Sequence, residues 1–284
     1  MVGILGSGFG LYGYLPAVCL SSDESVMVEL KNYNKINNRK DLKKHIDRIK
    51  WAVNDKDIIN NSNLLIIAYP PSEVNSHLLS KILESSVVSK LIVEKPICST
   101  PKKSKYFIDT IEENGIEVVS GYLFIYTDWF KKISETEKDI EIIWDHVKKF
   151  EDNSWKNKVK SGGGALRFYG IHLVSILAYY NFSVEDIVLN DTDNFEAFFI
   201  NKKGRKIRIK IFIGGLKYKF KVSLIENSSS PFSTFNNDGY DYRVKYLISL
   251  LKDFSQDIKK LNLLMKKTNK LWLSIENKFG DSLN

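Results

Sequence analysis

Val2-Gly3-Ile4-Leu5-Gly6-Ser7-Gly8-Phe9-Gly10 opens the chain, and its reading decides the fold. Val2 to Leu5 is a short apolar run of strand character. The glycines interrupt it, and Tyr12 to Leu20 then reads as a helix with Pro16 near its start. A glycine pair between a strand and a helix is the context in which G-x-G points to a bound dinucleotide. Gly6 permits the tight turn, and Gly8 lets the backbone approach a pyrophosphate. The N–H groups at the helix start then meet the phosphate oxygens. The third glycine of the usual fingerprint would fall at Leu11, with Gly10 and Gly13 on either side.

Working outward, Val26 to Leu30 reads as a second strand. Leu64 to Ala68 is continuously apolar, as a strand buried on both faces must be. Pro70-Pro71 stops it. Glu73 to Glu84 has helical spacing, with Val74, Leu78, Leu79 and Ile82 on one face. Lys90 to Val93 is a further strand, stopped by Lys95-Pro96. Lys102 to Asn114 is a helix ended by Gly115, and Ile116 to Ser120 is another strand. This alternation predicts an α/β fold with a doubly wound parallel sheet of Rossmann type. Beyond Gly121 the pattern changes. Ile140 to Val147 reads as a strand, and Gly162-Gly163-Gly164 opens a helical stretch to about Tyr180. Asn194 to Ile200 and Arg205 to Ile213 alternate around Lys202-Lys203-Gly204, as in a hairpin. Tyr218 to Ile225 adds a strand, and Tyr242 to Phe254 and Lys259 to Lys278 are helices. The expectation is a Rossmann domain over 1–120. A C-terminal α+β domain with an open, mainly antiparallel sheet follows over 121–284, its last helix able to pack on the first domain.

A chain of 284 residues exceeds one ordinary core, which agrees with two domains. The net charge of +8 would suit an anionic partner, but the lysines are scattered and form no block. Nucleic acid is therefore not expected, and the abundance of Lys, Asn and Ile reads as compositional bias. Cys19 and Cys98 make neither a disulfide framework nor a metal cluster, and His45, His77 and His146 share no metal-ligand spacing. No metal is expected. With no signal-like start and no apolar run of membrane-spanning length, a soluble cytoplasmic protein is expected, with no membrane partner.

An acidic residue at the end of the second strand would bind the adenosine ribose. Glu29 lies near that place, but Lys31 is the expected occupant. A cation there suits a 2′-phosphate, and Arg39 and Lys40 stand close in sequence, so the reading favours NADP over NAD. Glu94-Lys95-Pro96 follows a buried strand, which puts an ammonium at the crevice end of a parallel sheet. There it can hydrogen-bond a substrate hydroxyl and ease proton removal.

Glu94-Lys95-Pro96 after the glycine loop, then Gly162-Gly163-Gly164-Ala165-Leu166 and Gly170-Ile171-His172, resembles the glucose–fructose oxidoreductase / inositol dehydrogenase / MocA family. Tyr14-Leu15-Pro16-Ala17 and Ala68-Tyr69-Pro70-Pro71 resemble it too, so the likeness runs over nearly the whole chain. It implies an NAD(P)-dependent oxidoreductase acting on a sugar-type substrate, here an anionic, nucleotide-linked sugar of saccharide biosynthesis. It also implies a homodimer or higher homo-oligomer formed through the C-terminal sheet, on an apolar face. The implied catalytic pair is Lys95, polarising the reacting oxygen, and His172, exchanging its proton. The implied cofactor contacts come from Gly6, Gly8, Phe9 and Gly10, from Tyr69 and Pro70, and from Glu94 and Lys95, beside Lys31 and Arg39. Tyr122, Tyr126, Trp155, Arg167, Tyr169 and His172 are the expected substrate-side residues. The sequence departs from the family pattern at Phe168 and Ser175, where aspartates are usual, and at Tyr14, where a histidine is usual. A lost carboxylate beside His172 removes an orienting partner. Two alternatives therefore stand: a catalytically silent nucleotide-binding or scaffold protein, and a reductase of a non-sugar substrate resembling biliverdin reductase.

Overall fold

The computed structural model describes residues 1–147, 150–151, 153–223, 230–232 and 239–279. The chain divides into two compact units. The first comprises Met1–Ile97, Tyr106–Leu123 and Thr234–Asn262; the second comprises Cys98–Lys105, Phe124–Ser233 and Leu263–Asn284. Neither unit is one continuous stretch, which differs from the contiguous 1–120 and 121–284 expected from the sequence.

In chain order the first elements are β1 (Val2–Leu5), α1 (Leu15–Ser21), β2 (Val26–Glu29), α2 (Tyr33–Asn37), α3 (Lys40–Lys43) and β3 (Ile49–Ala52). There follow α4 (Asp55–Asn60), β4 (Leu64–Ile67), α5 (Ser76–Leu83), β5 (Lys90–Val93), α6 (Pro101–Glu113) and β6 (Glu117–Ser120). The six strands form one parallel sheet in the order β3-β2-β1-β4-β5-β6. The order reverses between β1 and β4, and ligands of such sheets bind outside the carboxyl ends of the strands at that point. β4 and β5 are apolar and buried along Leu65–Ile67 and Leu91–Val93. Each such side chain contributes about 1.5–3 kcal/mol on burial. β3 escaped the sequence reading because it is a four-residue edge strand with an exposed Lys50. The following α4 is also short. Its start is fixed by Asn54, which accepts from Asp57 N–H, while the Asp57 carboxylate accepts from Val53 N–H.

The second unit holds α7 (Asp128–Ser134), β7 (Ile140–His146), α8 (Ile171–Tyr179), β8 (Ser183–Asn190), β9 (Asn194–Ile200), β10 (Lys206–Ile213) and β11 (Lys219–Val222). Its sheet runs β11-β7-β10-β9-β8, antiparallel except for the parallel pair β7–β10. The expected β9–β10 hairpin is present, and Asn201 Oδ1 accepts from Lys203 and Arg205 N–H in its turn. β8, mostly exposed and irregular in register, was not anticipated. β11 is shorter than expected, and Leu224 and Ile225 lie outside the described residues. Alternation along β7, β9 and β10 buries Trp144, Phe199 and Ile209 on one face. On the other face Arg208 pairs with Glu196 and lies 3.5 Å from Glu141, and Lys210 lies 3.6 Å from Glu141. The apolar outer face expected as a dimer surface is thus a ladder of paired charges, with Phe198 and Phe212 as its aromatic members.

α9 (Val244–Gln256) and α10 (Ile258–Phe279) close the chain. α9 buries Val244, Leu247 and Leu250 and packs on α1 in the first unit. α6 and α10 each contribute residues to both units. No helix among the described residues is long and apolar enough to cross a membrane.

Candidate functional site

The glycine loop leaves β1 at the reversal point of the parallel sheet. Gly6 has φ +121°, and a Cβ there would lie 2.5 Å from the Ala68 carbonyl oxygen at the end of β4. A Cβ on Gly10 would meet Ile4 Cγ2 at 2.9 Å and Ala68 Cβ at 3.2 Å. Gly10 therefore does the close packing that the third glycine of the fingerprint usually does. The chain takes up the shifted spacing in a single π-turn over Gly10–Tyr14 before α1 begins, which leaves Leu11 in the core. Gly8 differs from both. A Cβ there would meet nothing within 4 Å, so no neighbour in the protein demands glycine. An open cradle beside a helix start, on a sheet of this order, fits a dinucleotide pyrophosphate. Lys35 Nζ donates to the Ser7 carbonyl at 2.7 Å and braces the loop; nothing in the sequence had singled it out.

The ribose side differs from expectation. Glu29 ends β2 and is buried, whereas Lys31 is exposed on the next turn and ion-paired to Glu29. The pair raises the Lys31 pKa, chiefly through its hydrogen bond to Glu29. Arg39 donates to both oxygens of Asp41, at 3.1 and 2.7 Å, and its guanidinium lies 5.4 Å from the Tyr12 ring. Both cations expected to receive a 2′-phosphate already hold a carboxylate.

At the end of β5, Glu94 and Lys95 are nearly buried, and Lys95 Nζ lies 3.6 Å from Glu94 Oε2. Burial drives the Lys95 pKa down; Glu94 works against that fall, and Arg243 adds to it. Tyr14, in place of the family histidine, donates its hydroxyl to Glu94 Oε1 at 2.6 Å. Tyr122, beyond β6, is buried, and burial raises its pKa. Tyr69 hydrogen-bonds Asp55 Oδ1 at 2.7 Å, and Pro70 follows it at the end of β4. In the first unit the structure thus gathers the loop glycines, Ala68–Pro70, Glu94, Lys95 and Tyr122 at the carboxyl edge of one sheet.

In the second unit, His172 sits in the first turn of α8. Every residue of this helix from Ile171 to Ala178 is buried. The imidazole stacks on Phe124, with centroids 4.4 Å apart, and lies 6.2 Å from Trp144. Ser175, standing where an aspartate is usual, donates to the His172 carbonyl at 2.7 Å. Phe168 packs edge-on against Phe150, Trp155 and Tyr169, and Lys156 Nζ lies 4.3 Å from the Phe150 ring centre. Tyr169 OH and His146 Nδ1 are 3.1 Å apart, a pairing the sequence reading missed because β7 and the turn before α8 are remote in sequence. Gly163 is required by contact, since a Cβ would strike the Trp155 and Lys156 carbonyls. Tyr126 ends a short turn after Phe124 and is partly exposed.

Arg167, expected on the substrate side, is engaged within its own unit. It is buried and donates to Glu276 through Nε at 2.7 Å and Nη2 at 3.0 Å. Its Nη1 donates to the Ser99 and Val159 carbonyls. These contacts use four of the five guanidinium donors. Arg167 thus holds a carboxylate and two carbonyls of its own unit.

No protein-family model matches the sequence, and no curated protein matches it. Solved structures are similar in fold. The super-repressor mutant of Gal80p from Saccharomyces cerevisiae has a TM-score of 0.69 at 13% identity, covering 98% of this chain and 94% of that one. The myo-inositol dehydrogenase of Lactobacillus casei, solved with NAD(H) and myo-inositol, has a TM-score of 0.65 at 12% identity over 99% and 94%. The WlbA dehydrogenase of Thermus thermophilus, solved with NAD and α-ketoglutarate, has a TM-score of 0.63 at 12% identity over 95% and 94%. At such identities the likeness is one of fold. This chain thus shares the two-unit fold of these three solved proteins.

Proposed function

We propose that this protein is an NAD(P)-dependent oxidoreductase acting on the CH–OH or C=O carbon of an anionic, sugar-type substrate such as a nucleotide-linked sugar. The observation that carries the reading is the open cradle at Gly8, placed at the reversal point of a β3-β2-β1-β4-β5-β6 sheet whose carboxyl edge also bears the nearly buried Lys95. Two structures of the same fold hold NAD, one with myo-inositol and one with α-ketoglutarate. A nicotinamide dinucleotide bound at the glycine loop would supply the hydride chemistry. The glycine loop binds the pyrophosphate, Lys95 polarises the reacting oxygen, and His172 exchanges its proton. Glu94, tied by Tyr14, keeps an acceptor beside the Lys95 ammonium. We assign NAD rather than NADP: Glu29 offers a carboxylate to ribose hydroxyls, and Lys31 and Arg39 are already ion-paired.

The test combines titration and turnover. Wild type should bind NADH more tightly than NADPH by fluorescence titration and oxidise it with a keto-sugar nucleotide. Lys95→Ala should lower kcat about 100-fold or more while NADH affinity stays within about threefold. Unchanged turnover would remove Lys95 from the mechanism. The second reading, a silent binding protein, draws on Phe168 and Ser175 in place of carboxylates and on the super-repressor Gal80p that shares the fold. Tight NADH binding with no turnover across a substrate panel would select it.

A further inference from the structure

Arg243 is a cation that no role above uses. It lies just ahead of α9, in the same unit as the glycine loop. Its guanidinium stands 4.2 Å from the ring centre of Phe9, the residue that follows the open position at Gly8. Tyr242 at 5.4 Å and Tyr12 at 5.7 Å flank the same group. Asp241 holds it from one side, accepting from Nε and Nη2 at 2.9 Å each. This clamp fixes the guanidinium plane and leaves Nη1 outside the pair. The clamp also raises the Arg243 pKa against its burial, so the charge is permanent.

A permanent cation here has a cost that an anion would relieve. Arg243 lies close enough to Lys95 for its charge to oppose the Lys95 ammonium, beyond the effect of burial. Two like charges repel, and an anionic pyrophosphate held at Arg243 would offset the Arg243 charge and relieve that repulsion. The aromatic platform of Phe9 and Tyr12 belongs to the loop that would cradle that pyrophosphate, so the cation is anchored on the binding element itself.

We propose that Arg243, oriented by Asp241 and stacked on Phe9, binds the pyrophosphate of the dinucleotide as a cation supplied from beyond the sheet. The proposal rests on the dinucleotide reading given above. It adds a residue that no glycine-loop pattern would reveal.

The experiment uses the full chain and measures binding, not turnover. Wild type, Arg243→Gln and Arg243→Lys are titrated with NADH by fluorescence and with ADP-ribose by calorimetry, with melting recorded for each. Arg243→Gln should weaken both ligands about tenfold, the scale of one charge-assisted contact. Arg243→Lys, which keeps the charge, should lose less. Wild-type affinity in the Gln variant overturns the proposal, and so do equal losses in the Gln and Lys variants, since stacking and not charge would then be at work. Should Arg243→Gln fold poorly, Arg243→Met, with an apolar stem over Phe9, takes its place. A wild type that binds none of NADH, NADPH and ADP-ribose overturns the dinucleotide reading itself. Binding by wild type with no effect of Arg243 substitution overturns this proposal alone.

Discussion

At Lys95, burial sets a charged side chain against stability. Burial favours its neutral amine in the folded protein, so the unfolded chain binds more protons between the depressed pKa and the ordinary lysine value. Stability therefore rises with pH across that window, and the charge is a burden below it. Followed by calorimetry, the melting temperature of wild type should rise relative to that of Lys95→Met as pH climbs through that window. A difference that does not change with pH would contradict the burial cost. The same depression shapes the rate profile. In the proposed reaction the ammonium is the donor in carbonyl reduction, so kcat/KM should fall as pH rises through a pKa below the ordinary lysine value. A profile flat to that pH would exclude the role. The residue type and its place after a buried strand were legible in the sequence. Its pairing with Glu94, the tie of Glu94 to Tyr14 and the nearness of Arg243 were not, because each partner comes from a different part of the chain.

Among elements, those built from continuous apolar runs were legible: β1 is buried throughout and β4 and β5 are buried beyond their first residue, and helix periodicity marked α5 and α9. Edge strands β3 and β8 were not, because a strand with one neighbour and an exposed face carries little apolar pattern. The turn that leads into α8 depends on α10 in a way no local pattern encodes. Arg167 on that turn is 3% exposed and Glu276 on α10 is 14% exposed, and Trp272 Nε1 also donates to Glu276 at 2.7 Å. Removing one partner of a buried pair strands the other. Glu276→Gln should cost about 3 kcal/mol in urea denaturation. A change under about 0.5 kcal/mol would place the pair among weak surface bridges.

At the scale of the whole molecule, the first unit is assembled from three segments, and its third includes α9 and Arg243. α9 covers α1, and Asn262 donates to Glu112 Oε1 at 2.7 Å and to the Val118 carbonyl at 2.9 Å. A fragment ending at Leu123 lacks these contacts. It should be expressed with little cooperative melting and bind NADH far more weakly than the full chain; wild-type affinity in that fragment would show that α9 and Arg243 are dispensable. The sequence by itself determined the two sheet classes, the glycine loop after the first strand, and Lys95 and His172 as candidates, because periodicity and turn chemistry are local. Only the tertiary structure decided the rest. It placed Gly8 in open space, committed Arg167 to Glu276, tied Lys31 to Glu29, turned a charged sheet face outward and brought Arg243 to the loop. The reason is physical: an ion pair, a stacked cation or an open cradle depends on which distant segments meet, and that is settled by packing the cores.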